Sequence, residues 1–341
     1  MKKVILIFSL IMSSTCAISQ DKTNQTNDFY DNEETFHLPL GELEIAGEIE
    51  NPGKVDFSRL NKRSVIVKET RLNINGSNAF TGAFRYDGYS LFDILNDRIL
   101  KKQNKDEFPP IIDMYVIIEN AQGERVILSW GEIYYPNYLH QCIIASDVMR
   151  IVPSKTKELW ALPMEYKLVI APDLIAERNI SRPIRITVKS WSRSYEIHRE
   201  LKPLFSPMVT IFDGDKEILS FSELPGGYPV ETLHSVFYGK GRGIHSTEPF
   251  TGIYLKDLLK RIIPVYKDHL MDGLIVLAGV DGYRAVYTYS EIMNRNDQAE
   301  VLLVPCADGA EGGIFRIFPS CDFFSDRAVK ALSEIRIDTS N

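Results

Sequence analysis

The sequence predicts an α+β fold that is rich in β-structure and consists of two related domains in tandem. Blocks of residues recur in the same order in the two halves of the chain. Turn signals between alternating apolar residues indicate β-hairpins, and the helical patterns are few and short. Strands mixed with short helices are typical of a compact α+β domain.

The first residues have the pattern of a signal peptide, which we assign to residues 1–19. Lys2 and Lys3 precede the apolar run 4–12, and Ala17-Ile18-Ser19 resembles a small-residue cleavage site. Cys16 leaves a lipoprotein as the alternative, but the preceding residues lack the leucine that usually opens a lipidation signal. We therefore expect export to the periplasm or to the extracellular space.

Charge and composition limit the classes of partner. The formal net charge is −7, and without Lys2 and Lys3 it is about −9, which argues against a nucleic-acid partner. No segment after the signal peptide is long and apolar enough to span a membrane. We expect a flexible tether over 20–36, a first domain over 37–188, a linker over 189–207 and a second domain over 208–341.

The first repeated block predicts a short amphipathic helix in each half. Gly88 to Ile99 matches Gly252 to Ile263 without a gap, with identical residues at five of twelve positions. The leucines within each block have helical spacing. The glycine that opens each block suggests a turn leading into the helix.

The second block predicts a β-hairpin. Residues 114–134 match residues 273–293, and Asp281-Gly282 is a turn signal between two apolar runs. The block preserves a glycine, an arginine, a glutamate and an isoleucine, as the pairs Gly123/Gly282, Arg125/Arg284, Glu132/Glu291 and Ile133/Ile292.

The third block is a strand, an irregular segment and a final strand. The pairs Asp173/Asp322 and Arg178/Arg327 recur in it, and we align Ile184-Arg-Ile186 with Ile335-Arg-Ile337. Because the same charged pair occurs in both halves, we expect it to be an internal ion pair of the scaffold. The linker carries Trp191 and Tyr195, which indicate that it packs on a domain.

Each half resembles the molybdopterin-binding domain of the sulfite oxidase family. The resemblance covers about residues 40–188 and 208–338. Four features carry the resemblance: an opening strand with an Asn-Pro-Gly turn, a Gly–apolar–Asp-Leu-Leu helix, a hairpin turn and a final basic-apolar strand. In this chain the opening strand and turn are Leu43–Gly53, the helix motif occurs at Gly88–Leu95 and Gly252–Leu259, and the hairpin turn is Asp281-Gly282-Tyr283. The resemblance implies two tandem sulfite-oxidase-like domains.

The chain departs from this family where the chemistry would take place. Active members bind molybdenum through a cysteine thiolate in a strand region that here corresponds to 64–71 and 230–238. Neither region contains a cysteine, and His234 lies near the expected place in the second copy. We therefore expect no cofactor, and a molybdopterin-dependent oxidoreductase with an altered metal ligand is the alternative.

The segment from His234 to His245 is the predicted ligand site. It combines basic and aromatic side chains with closely spaced glycines, and its candidate binding residues are His234, Tyr238, Lys240, Arg242 and His245. Backbone amides of a glycine-rich segment, together with cationic side chains, can hold a small anion. The alternative is a surface loop with solvated charges. We assign no metal, although the two histidines with Cys306, Asp308 or Glu311 could form a site.

The remaining motifs give no catalytic assignment. Cys306 and Cys321 lie on either side of a glycine-rich turn and are candidates for a disulfide after export. His140 and Cys142 would share one face of a strand. No nucleophile elbow and no defensible acid/base pair is present. We expect an exported binding protein, with a small anionic ligand or an envelope protein as its partner, rather than an enzyme.

Overall fold

The computed structural model describes residue 30 and residues 33–306 and 312–339. The predicted signal peptide and most of the predicted tether lie outside these residues, and of the tether only residue 30 and residues 33–36 are described. The fold is rich in β-structure with few, short helices, and its sheets are arranged like a four-bladed propeller, two from each half. The helices are too short to form a layer of their own, so the α part of the predicted α+β class is minor.

Two sheets are built from the first half of the chain. Its strands are β1 (Phe36–His37), β2 (Glu44–Gly47), β3 (Gly53–Lys54), β4 (Arg63–Leu72), β5 (Asn78–Ser90), β6 (Met114–Asn120), β7 (Arg125–Ser129), β8 (Cys142–Arg150), β9 (Lys167–Ile170) and β10 (Pro183–Ser190). One sheet has the order β1-β8-β5-β4, with β9 also on β8, and the other has the order β3-β2-β10-β6-β7. The pair β2–β10 is parallel.

The second half repeats this topology. Its strands are β11 (Val209–Asp213), β12 (Lys216–Phe221), β13 (Glu231–Leu233), β14 (Phe237–Gly239), β15 (Gly243–Ser246), β16 (Phe250–Tyr254), β17 (Gly273–Gly279), β18 (Arg284–Thr288), β19 (Val301–Pro305), β20 (Phe315–Pro319) and β21 (Leu332–Thr339). The sheet orders are β12-β11-β21-β17-β18 and β13-β16-β19-β20, with a parallel β11–β21 pair. The hairpin β14–β15 is an addition of the second copy.

The helices of the described residues have five or six residues each. They are α1 (Leu91–Leu95), α2 (Trp130–Tyr134), α3 (Leu255–Lys260), α4 (Lys267–Asp272) and α5 (Tyr289–Met293). The predicted leucine helices are confirmed as α1 and α3. Helices α2 and α5 begin directly after the hairpins, where Ser129 and Thr288 cap them by accepting the backbone N–H of the residue three positions on.

Both predicted hairpins are confirmed, as β6–β7 and β17–β18. The glycines that open the first block, however, are not turn residues, because Gly88 lies within β5 and Gly252 within β16. A Cβ at Gly88 would collide with the carbonyl oxygen of Ile144, and one at Gly252 with that of Leu303. Glycine is required here because the neighbouring strand backbone approaches closely.

The alignment of the final strands was wrong by two residues. Ile186 pairs with Ile45 and Ile118, and Ile335 pairs with Ile211 and Leu277 at the same places of the two sheets. Ile186 therefore corresponds to Ile335. The error arose because Ile184 repeats the Ile-x-Ile pattern at the edge of the strand, where it is exposed.

The buried residues of one apolar core all belong to the first half. The core of the second half also includes Phe108, Ile112, Tyr135 and Ile175 of the first half, and a third cluster joins the two halves as well. The third cluster contains residues at matching positions of the two hairpins, as the pairs Tyr115/Leu274, Ile117/Val276 and Ile127/Val286. Trp191 of the linker is buried in this cluster and Tyr195 packs against it. The two copies therefore meet through the same face of the same hairpin, as subunits do in an isologous dimer.

Candidate functional site

The contacts between the two copies are reciprocal. The backbone N–H of Asn137 donates to the carbonyl of Cys321 at 2.8 Å, and that of Asn296 donates to the carbonyl of Pro172 at 2.8 Å. These four residues occupy matching positions in the two copies. Such exchange of equivalent bonds is the mark of an approximate twofold axis.

The repeated arginines of the second block also cross between the copies. Arg125 pairs with Asp272 at 2.9 Å, and Arg284 pairs with Asp113 at 3.3 Å. Asp113 directly precedes β6 in the first copy. Asp272 is the last residue of α4 and directly precedes β17 in the second copy. The repeated residues therefore hold the copies together.

A buried charged cluster lies close to the axis. Arg178 binds Asp173 and Glu132, each at 2.6 Å, within the first copy. Arg327 binds Asp322 and Glu291, each at 2.6 Å, within the second. The internal ion pairs that the sequence predicted are thus present. The helix caps connect the two sets: Ser129 donates to Glu291 at 2.8 Å, and Thr288 donates to Glu132 at 3.2 Å.

The cluster contains four carboxylates but two arginines, and this imbalance affects proton binding. Burial raises the pKa of Asp173 to about 6, although Arg178 opposes the change. Burial likewise raises the pKa of Glu291 against the attraction of Arg327. Desolvation and neighbouring like charges both disfavour an ionised carboxylate.

A cavity of about 400 Å³ opens beside this cluster, where the two copies meet. We call it the interface cavity. Its walls are mainly the loop after α2, the loop after α5 and the residues that follow β9 and β20; the lining residues are Phe92, Glu132, Ile133, Pro136, Asn137, Tyr138, His140, Gln141, Cys142, Ala171, Pro172, Arg295, Asp297, Ala299, Ser320 and Cys321. Matching segments of both copies therefore build it.

The lining is chemically asymmetric although the backbone is repeated. The wall from the first copy is largely apolar and aromatic, with Phe92, Ile133 and Tyr138. The wall from the second copy carries Arg295 and Asp297 at the positions that correspond to Pro136 and Tyr138. Small-molecule sites typically combine an apolar surface with a few polar groups and often lie between domains.

The two thiols in the cavity are structural in character. Burial raises the pKa of Cys142 and that of Cys321 well above the ordinary value, and Glu132 and Asp322 respectively add to the effect. A neutral thiol is a poor nucleophile and a poor metal ligand. The Sγ atom of Cys321 and one carboxylate oxygen each of Glu291 and Asp322 lie within 4.8 Å of one another, but both carboxylates already bind Arg327.

The predicted ligand segment is brought together only in part. Lys240, Arg242 and His245 belong to the β14–β15 hairpin and line a cleft of about 530 Å³ together with Lys330. This basic cleft also contains the carboxylates Asp281 and Asp326.

His234 and Tyr238 do not line the basic cleft. His234 is exposed directly after β13. Tyr238 alternates with Gly239 along β14, so its ring lies on the other face of the strand, against Phe323 and Phe324. Asp308 and Glu311, named as metal ligands, lie outside the described residues.

The predicted disulfide is not formed. Cys306 and Cys321 are both free. Cys306 follows the end of β19 that pairs with Phe315, whereas Cys321 follows Pro319, which pairs with Val301 at the other end of the hairpin. Several residues of extended chain separate the two thiols, well beyond the ~7 Å between Cα atoms that a disulfide tolerates.

His140 is not part of a strand. Its backbone has a φ of 67°, and β8 begins only at Cys142. Both residues nevertheless line the interface cavity. The Nδ1 atom of His140 lies 3.0 Å from the hydroxyl oxygen of Ser90, and burial lowers the pKa of the imidazole. Backbone strain of this kind is common at functional sites.

The residues present do not fit the molybdenum ligation that the resemblance implies. The first-copy region forms β4 and the second-copy region includes β13, and neither offers a thiol. The buried thiols of Cys142 and Cys321 are held protonated and belong to other segments. His234 lines neither the interface cavity nor the basic cleft.

No local sequence pattern indicates the interface cavity directly, because its walls are irregular loops from distant parts of the chain. The only signals were the HxC motif at 140–142 and the repeated charged pairs beside it. Within the described residues, no helix is both long and apolar enough to cross a membrane. Comparisons with models of known families, with curated proteins and with solved structures gave no match, so the function is inferred from the site itself.

Proposed function

We propose that this chain is an exported binding protein that holds a small ligand in the interface cavity and performs no molybdenum redox chemistry. The observation that carries the proposal is the cavity itself, which matching segments of both copies enclose and line with apolar and polar groups. A site at a domain interface with this mixture of groups is suited to a small molecule.

The basic cleft supports ligand binding less well than the interface cavity does. Lys240, Arg242 and Lys330 are exposed, and water solvates their charges well without a ligand. The cleft also carries two carboxylates that offset the basic groups. We therefore place the ligand between the copies and use the basic cleft as a control surface.

Filling the interface cavity tests the proposal. In Ala299→Phe, an aromatic ring occupies space at the cavity wall, whereas Ala121→Phe places the same ring on the exposed turn of the β6–β7 hairpin. A fluorine-labelled fragment library is screened by ¹⁹F NMR against wild type and both variants. We expect hits whose affinity falls at least tenfold in Ala299→Phe and is unchanged in Ala121→Phe.

Two results would contradict the proposal. One is a library without hits; the other is a set of hits that bind Ala299→Phe as tightly as wild type. Hits that weaken in the double variant Lys240→Ala/Arg242→Ala would instead place the ligand in the basic cleft. A stably folded Ala299→Phe, shown by an unchanged circular dichroism spectrum, makes the comparison valid.

The absence of molybdenum chemistry and the export have separate tests. A molybdenum assay and an absorbance spectrum are recorded on protein exported by its own host. Stoichiometric molybdenum or a pterin absorbance would favour the oxidoreductase alternative.

N-terminal sequencing of the same preparation should begin near residue 20, and an intact Met1 would contradict export. An envelope protein as partner would appear as a co-purifying chain.

A further inference from the structure

One edge of the Arg295 guanidinium has no partner among the residues that the structure describes. The side chain lines the interface cavity and is 6% exposed. Nε and Nη2 donate to the two carboxylate oxygens of Asp297, with Nε 2.8 Å from Oδ1. Within the parts of the chain that the structure describes, Nη1 donates no hydrogen bond, and it is not sealed from solvent. The Nη1 edge is therefore available to a molecule in the cavity.

Arg178 and Arg327, the arginines of the buried charged cluster, each use both edges of the guanidinium. Arg178 binds Asp173 through Nε and Nη2 at 2.8 and 2.6 Å, and Glu132 through Nη1 and Nη2 at 3.0 and 2.6 Å. Each edge thus holds one carboxylate. A guanidinium has five donors in a planar fork, so it can serve two carboxylates at once.

Arg327 repeats this arrangement in the second copy. Nε and Nη2 bind Asp322 at 2.7 and 2.6 Å, and Nη1 lies 2.6 Å from Glu291. Arg295 likewise binds one carboxylate, that of Asp297, through Nε and Nη2, but it has no second carboxylate within the described part of the chain. On Arg295, no carboxylate of the described residues takes the position that Glu132 and Glu291 take on the other two arginines.

We propose that the ligand of the interface cavity carries a carboxylate that binds the open Nη1 edge of Arg295. This inference rests on the proposed binding function. The wall from the first copy includes Phe92, Ile133 and Tyr138, which suit an aryl or alkyl body. Glu132 and Asp297 also line the cavity, each paired with an arginine, and their charges disfavour an anion with several charges. The ligand class is therefore a small monocarboxylate with an apolar body.

Matched acids and amides test this assignment. The probes are phenylacetate, 3-phenylpropionate and hexanoate, each compared with its carboxamide, and the affinities are measured by ligand-observed NMR at pH 7. We expect at least one acid to bind at least tenfold more tightly than its amide. Arg295→Gln should remove that preference, and Arg242→Gln in the basic cleft should retain it.

Asp297→Asn is the second variant, because it replaces an exposed side chain and leaves Arg295 in place. It frees the Nε edge from a carboxylate, so the acid should bind more tightly than to wild type. Equal affinity of every acid and its amide, or a preference that survives Arg295→Gln, would overturn the carboxylate assignment. In that case, binding of the fluorinated fragments in the interface cavity would still support the proposed binding function. If the fragments do not bind there either, both the carboxylate assignment and the proposed binding function are contradicted.

Discussion

At the residue scale, the unusual feature is the number of charges buried where the two copies meet. Arg178 and Arg327 are fully buried, and each is held by two carboxylates. Removing charged groups from water is costly, so the ion pairs are retained only because their hydrogen bonds are nearly complete. Four carboxylates facing two arginines leave an excess of negative charge, which the raised pKa of Asp173 and of Glu291 reflects.

The raised pKa of Asp173 predicts how stability changes with pH. The folded protein keeps the proton up to about pH 6, whereas the unfolded chain releases it near the ordinary value of 3.8. Asp173 therefore contributes stability below pH 4 that is lost as the pH rises through 6. We expect the free energy of unfolding of wild type, relative to Asp173→Asn, to fall by roughly 2 kcal/mol between pH 4 and pH 7.

Urea denaturation of both proteins across this pH range measures the difference. The groups around Asp173 are Arg178, Glu132 and Arg295, and none of them is altered in the variant. A difference that stays constant with pH would show that Asp173 is ionised throughout.

At the element scale, the hairpins and the leucine helices could be predicted because local pattern specifies them. The turn at Asp281-Gly282 and the leucine spacing in α1 and α3 depend on neighbours in the sequence. The role of Gly88 and Gly252 could not be inferred in this way. It depends on how closely a strand from a later part of the chain approaches, and no local pattern reports that distance.

Gly252→Ala tests the close approach of β16 and β19. The added Cβ would collide with the carbonyl oxygen of Leu303, so the strands must separate. We expect a loss of about 2–3 kcal/mol in the free energy of unfolding, measured by urea denaturation. Gly226→Ala is the matched control, because no atom lies within 4 Å of its added Cβ and the loss there should be near zero. Equal stability of the two variants would contradict the strand packing.

At the scale of the whole molecule, the two copies share an apolar cluster, reciprocal ion pairs and a cavity. The sequence predicted that there were two copies, but it could not show which faces meet. The sequence showed Arg125 and Arg284 only as a repeated pair, and their partners Asp272 and Asp113 lie in the other copy. The site was missed for the same reason, since it exists only when the copies are together.

The shared interface predicts that both copies unfold together. Scanning calorimetry should give one transition whose van't Hoff enthalpy equals the calorimetric enthalpy. Ile127→Ala, at the joint apolar cluster, should lower the temperature of that single transition, at a cost of about 2–5 kcal/mol. Two resolved transitions in wild type would show instead that each copy is stable alone.

The reciprocal contacts also restrict how the two copies can diverge. A residue near the axis contacts a residue of the other copy, and the matching residues of the two copies make the equivalent contact. A substitution in one copy must therefore fit a surface of the other copy, whose sequence changes independently. Arg178 and Arg327, with their carboxylates and the capping hydroxyls, are bound by this condition. The side chains of Tyr138 and Asp297, at matching positions of the two copies, are less restricted because they line the interface cavity. A duplicated chain can thus keep a symmetric scaffold while the two walls of its pocket become chemically different, which a symmetric pair of identical subunits could not do.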